Sequence, residues 1–83
     1  MIKIVVEVYF PVAGKAYDVF IPFKSKMSEV LMLLCRVAPE LSDGVFKASK
    51  DTVLCDRSDG VILNLNMTVE ELGIRNGTKL ILL

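Results

Sequence analysis

Histidine and tryptophan are both missing from this chain of 83 residues, and only two cysteines, Cys35 and Cys55, are present. Without imidazole there is no Ser–His–Asp triad, no histidine-bearing zinc site and no side chain that ordinarily titrates near neutrality. Two cysteines alone cannot hold an iron–sulfur cluster or build a disulfide scaffold. No Cys-x-x-Cys is present, so they read as two buried free thiols rather than a redox pair. Neither sign of charge is in excess: ten Lys+Arg balance ten Asp+Glu. Such a chain lacks the electrostatic footprint of a nucleic-acid binder. Nor is there a long apolar run. The longest, Val30 to Cys35, is far below the ~20 residues of a membrane span. The N-terminal Met-Ile-Lys-Ile-Val-Val-Glu has Glu7 inside its apolar stretch and no small-residue cleavage site, unlike a secretory signal. The expectation is one cytoplasmic domain over residues 1–83 with reduced thiols, no catalytic, cofactor or metal site, and no nucleic-acid partner.

What is present is apolar mass. Hydrophobic residues make up 53% of the chain, above the usual ~45–50%, and mean hydropathy is +0.53. At zero net charge, so much apolar area in a small domain points to a surface that meets a partner, and it makes self-association plausible.

Residues 2–10 alternate, with Ile2, Ile4, Val6, Val8 and Phe10 on one parity and Lys3, Val5, Glu7 and Tyr9 on the other. Period two in β-branched residues predicts a strand with its even face buried. Pro11 and Gly14 mark a turn, and Ala16 to Phe23 predicts a second strand with Tyr17, Val19 and Ile21 inward and Asp18 and Phe20 outward. From Met27 to Ala38 the period becomes helical, with Ser25 or Ser28 as cap and Pro39 and Ser42-Asp43-Gly44 as the stop. Met27, Val30, Leu31, Leu34 and Ala38 form its sheet-facing stripe. Val45 to Ser49 is ambiguous between loop and a short extension. Thr52–Asp56, a turn at 56–60 and Val61–Asn64 predict a second hairpin. Thr68 to Gly73 reads as one helical turn, with a Thr68/Glu71 capping box and Gly73 as C-cap. Asn76-Gly77 is a tight turn before a last strand, Thr78–Leu83. The first and last strands are the most apolar and are expected at the sheet centre. The predicted class is α+β: a mixed five-stranded sheet gripping one helix, in the order ββαββ-short helix-β.

The run Thr68-Val69-Glu70-Glu71-Leu72-Gly73-Ile74, followed by Asn76-Gly77-Thr78-Lys79-Leu80-Ile81-Leu82, resembles the C-terminal half of ubiquitin-like β-grasp domains. The likeness extends back through Val53-Leu54-Cys55-Asp56 and Val61-Ile62-Leu63, and so covers nearly the whole chain as pattern. More narrowly, it resembles the small ubiquitin-like proteins of bacterial type VII secretion loci, the YukD/EsaB group. That resemblance implies a non-enzymatic accessory or regulatory module, with secretion-machinery subunits as partners. It would sit in the cytoplasm, at most peripheral to the membrane through a partner. Conjugated ubiquitin-like proteins and sulfur carriers end in Gly-Gly, whereas this sequence ends Leu80-Ile81-Leu82-Leu83, so neither conjugation nor sulfur carriage is expected. A longer native C-terminus would instead favour a modifier or sulfur carrier. A chain cut from a larger protein would be the ubiquitin-like domain of a secretion membrane subunit.

Pairing the sequence with ubiquitin places Ile81 and Leu83 on the open sheet face, sharing it with Val5, Phe20 and Leu54. These five residues are the candidate protein-binding patch, weighed against ordinary surface apolar area. A competing surface is the outer helix face, Met32, Leu33, Cys35 and Val37, expected to lie under the 39–51 loop as core. Asp56, Ser58 and Asp59 before Gly60 lack the remaining ligands of a calcium loop and read as a turn. Glu70 and Glu71 suit a helix N-terminus. Lys24, Lys26, Lys47 and Lys50 read as solvated, and Ser25, Ser28 and Ser58 have no partnering base.

Overall fold

The computed structural model describes residues 2–83. Strands β1 (Lys3–Phe10) and β2 (Lys15–Pro22) form the expected antiparallel hairpin, with Ile4 opposite Ile21 and Val8 opposite Tyr17. Helix α1 (Met27–Leu41) follows, then β3 (Leu54–Asp56) and β4 (Lys79–Leu82). The sheet order is β2-β1-β4-β3, with β4 parallel to β1 and antiparallel to β3. The first and last strands therefore occupy the centre, as their apolar content predicts.

The sheet has four strands rather than five. Residues 61–64 contribute a single bridge, Ile62 to Cys55, flanked by the bonds from Asp56 N–H to the Val61 carbonyl and from Leu63 N–H to the Leu54 carbonyl. Three residues of β3 are too few to template a full partner strand. Residues 68–73 likewise form a hydrogen-bonded turn and not a helix. The capping box is nonetheless in place: Glu71 N–H donates to Thr68 Oγ1 at 3.0 Å, and Thr68 N–H donates to Glu71 Oε1 at 2.9 Å.

Helix α1 begins as predicted but is capped differently. Its N-cap is Lys26, not a serine. The free amides of Met27 and Ser28 donate to the carbonyls of Met67 and Leu65, so a distant loop satisfies what a serine cap would have met. At the other end the helix continues past Ala38 through Pro39. A proline in the last turn forfeits only one internal bond. Termination comes at Asp43 and Gly44, both with positive φ. Gly44 N–H donates to the Pro39 carbonyl and Asp43 N–H to the Glu40 carbonyl, a Schellman ending.

The core lies between the helix and one sheet face. Val6, Val8, Phe10, Leu80 and Leu82 from the sheet meet Met27, Val30, Leu34 and Ala38 from α1, all fully buried. The segment left ambiguous by the sequence supplies Phe46, whose ring stands 5.4 Å from that of Phe10. Ser42, the one buried polar residue among those described, holds it there. Its hydroxyl donates to the Ala38 carbonyl at 2.7 Å and accepts from Phe46 N–H at 2.9 Å.

Candidate functional site

The two faces of the sheet are assigned by strand parity. Even residues of β1 face the helix, so Val5, Glu7 and Tyr9 face away. Register then carries the open face across the sheet: Val5 opposes Phe20, Glu7 opposes Asp18, and Tyr9 opposes Ala16. On the other side Glu7 is level with Lys79, and Tyr9 with Ile81.

Four of the five predicted patch residues, Val5, Phe20, Ile81 and Leu83, fall on this face. Phe20 is 67% exposed and Leu83 53% exposed, while Val5 and Ile81 are half-buried. Leu54 does not belong to the patch. It lies in register with the inward Leu82 and is only 1% exposed, so it is core. Its neighbour Cys55 takes the open-face parity, opposite Ile81, and is itself buried.

The structure also divides the patch. Val5 and Phe20 occupy one corner, and Ile81 and Leu83 lie towards the opposite end. Between them runs a charged row of Asp18, Glu7 and Lys79. One strand step of two residues spans about 6.6 Å, so the two apolar groups flank a single polar row. Leu83 is fixed by a pair of 3.0 Å bonds with Val53, one in each direction. Tyr9 is roofed by Arg57, whose guanidinium carbon is 4.2 Å from the ring centroid, a cation–π stack worth about 0.5–1 kcal/mol at an exposed site. At the Val5 end, Val5 N–H donates to Asn76 Oδ1 at 2.8 Å and Gly77 N–H donates to the Val5 carbonyl, tying the 75–78 loop to β1. Sequence reasoning put Glu7 and Tyr9 on the parity away from the core and Asp18 outward, but missed Arg57 over Tyr9 and the pairing of Glu7 with Asp18. The hairpin register, once fixed, would have exposed the acidic pair.

The outer helix face is less covered than expected. Met32 is 64% exposed and, with Glu29, Leu33 and Arg36, lines a shallow depression of about 220 Å³. Residues 39–41 continue the helix, and the 42–51 loop does not line this depression. Met32 sits on the far side of the helix from the buried stripe, whereas Leu33, Cys35 and Val37 flank that stripe and are half-buried. Desolvation raises the Cys35 thiol above its ordinary pKa, which leaves it a poor nucleophile. A second depression of about 370 Å³ lies between Asp56, Ser58, Gly73, Arg75 and Lys79. Among the described residues no group of three His, Cys, Asp or Glu side chains could hold a metal ion. No helix among them is long and apolar enough to cross a membrane.

No protein-family model matches this sequence, and no curated protein matches it. Solved structures do. The chain is similar to the ubiquitin-like domain of the Mycobacterium tuberculosis type VII secretion protein ECCD1, with a TM-score of 0.79 at 17% identity over 100% of this chain and 99% of that one. It is similar to the ubiquitin-like domain of EccD5 from Mycobacterium xenopi, with a TM-score of 0.83 at 21% identity over 100% of this chain and 94% of that one. A chain of the MycP5-free ESX-5 inner membrane complex matches with a TM-score of 0.79 at 20% identity, over 98% of this chain and 20% of that one. Identities this low speak for the fold, and these neighbours come from type VII secretion systems. The chain therefore has the ubiquitin-like β-grasp fold, with a mixed sheet closed over one helix.

Proposed function

We propose that this chain is a non-enzymatic interaction module of a bacterial type VII secretion system. It docks on secretion subunits through the open face of its sheet. The supporting observation is Phe20, a large aromatic side chain left two-thirds exposed on a face that also presents Val5, Ile81 and Leu83. Interface anchors are typically such residues, ringed by polar groups. The two apolar groups and the charged row between them would give one anchor pair, one selectivity element and a second apolar contact.

Two forms of this reading are open. A free-standing cytoplasmic accessory protein of the YukD/EsaB type is one. A ubiquitin-like unit of a larger membrane-complex subunit is the other, favoured by the match to one-fifth of a chain from an inner-membrane complex. Affinity capture of the tagged protein from cells carrying its native locus tests both. The expected result is recovery of secretion subunits by the wild type and their loss with the double variant Phe20→Ser, Ile81→Ser. Undiminished capture by a folded double variant would refute the docking face. Recovery of an adenylating enzyme instead would point to a carrier role.

A further inference from the structure

The edge of the sheet at β2 is incomplete in three independent ways. The first is main-chain pairing. Phe23 N–H donates to the Ile2 carbonyl, so alternation makes the odd residues of β2 those that bond β1. The bonds of Glu7 N–H to Thr78 and of Gly77 N–H to Val5 agree, because they direct the odd residues of β1 towards β4. The N–H and C=O groups of Ala16, Asp18 and Phe20 therefore point out of the sheet, and none of them takes part in the turn and loop bonds. The second is the core face. Val6 and Val8 are completely buried, yet their partners Val19 and Tyr17 on β2 are only half-buried. The inward row runs out at β2 with its side open. The third is charge. Glu7 and Asp18 oppose each other at a non-hydrogen-bonded position, where Cα atoms approach to about 4.5 Å and like charges are unfavourable. Neither forms an ion pair among the described residues, where Lys24–Glu70 is the one salt bridge.

We infer that β2 receives an extended polypeptide segment as a fifth strand, one carrying a basic side chain opposite Asp18 and an apolar side chain opposite Phe20. This rests on the docking reading and names the chemistry of the partner. Outward amides at Ala16, Asp18 and Phe20 supply the ladder, as in strand addition generally. Apolar residues on the alternate positions of the segment cover Val19 and Tyr17. A lysine or arginine on the segment pairs with Asp18 from its open side, as Lys79 already lies level with Glu7 on the other side of the row. A second copy of this chain is the wrong occupant. Antiparallel β2–β2 pairing centred on the outward amides sets Asp18 against Asp18, and Pro22 has no N–H to give. At the other end of the sheet, the 61–64 segment meets β3 through a single bridge and offers no ladder to extend.

The test is amide NMR with a synthetic peptide that alternates valine with leucine and then arginine at the open-face positions, flanked by serine and glycine. A control peptide carries glutamate in place of the arginine. The expected result is new hydrogen-exchange protection of the Ala16, Asp18 and Phe20 amides with the arginine peptide. The glutamate peptide should bind at least ten-fold more weakly, on the order of two unfavourable surface pairs. Asp18→Asn should weaken the arginine peptide about five-fold without unfolding the domain. Shifts confined to residues 53–63 or to the outer helix face, equal binding of both peptides, or no binding at all would overturn strand addition at β2. So would concentration-dependent protection of the same amides with no peptide present, which would mean β2 self-pairing. Loss of peptide binding with retained sensitivity of subunit capture to Phe20→Ser would remove this inference and leave the docking face standing. Loss of both would remove both.

Discussion

Leu54 in β3 and Leu83 just past the end of β4 have opposite fates. Around Leu54 both parities are apolar, Val53-Leu54-Cys55, so period two gives no preference and register decides. Pairing with Leu82 turns Leu54 into the core. Leu54→Ala should therefore lower unfolding free energy by about 2–5 kcal/mol, whereas Leu83→Ala should stay within about 0.5 kcal/mol, read from urea denaturation midpoints at constant slope. Equal effects would mean the register is wrong. Ser42 makes the same point for a polar group. Ser42→Ala strands the Phe46 N–H in the core and should cost about 1–3 kcal/mol, with loss of the Phe46 aromatic signature in near-ultraviolet circular dichroism. The sequence marks Ser42 as part of the helix stop but not as the acceptor for Phe46 N–H, because that role depends on where a loop returns.

Among the elements, β1, β2 and α1 were legible from their periodicity, and β4 from its apolar run after the Asn76-Gly77 turn. The shortfalls depend on contacts that the local period does not report. The α1 cap is supplied by carbonyls of residues 65 and 67, and the would-be strand 61–64 fails because β3 is only three residues long. The 68–73 turn is stabilised locally, and its box was readable. Its carboxylate has a pH signature. The Thr68 backbone N–H, followed by the Thr68 side chain, holds the Glu71 carboxyl below the usual glutamate value. A carboxyl with a depressed folded pKa adds stability above the unfolded value, lost as pH falls through the folded one. Glu71→Gln should thus flatten stability against pH below the ordinary glutamate range and leave it unaltered in shape near neutrality. Urea midpoints across an acid series measure this, and identical slopes for both proteins would contradict it. Thr68→Ala, which removes the acceptor for Glu71 N–H, should cost about 1 kcal/mol near neutrality.

For the molecule as a whole, the arrangement of one helix over one sheet face leaves the other face to solvent, and that face was readable in outline from the sequence. Val5 and Phe20 follow the outward parity of their strands, and Ile81 and Leu83 were placed on that face by the resemblance to ubiquitin. The split of that face into two apolar groups by Asp18, Glu7 and Lys79 was not readable, since it requires the register of three strands at once. The exposed outer helix face, with Met32 at its centre, is the rival surface on the same molecule, and the two lie on opposite sides of the core. The most direct discrimination is an amide and methyl NMR footprint of the labelled chain, free and bound to a partner recovered by the affinity capture proposed above. The account predicts that signals of Val5, Phe20, Ile81 and Leu83 broaden or shift while those of Met32 and Leu33 stay unchanged. A footprint centred on Met32 and Leu33, with the sheet face unaffected, would contradict it.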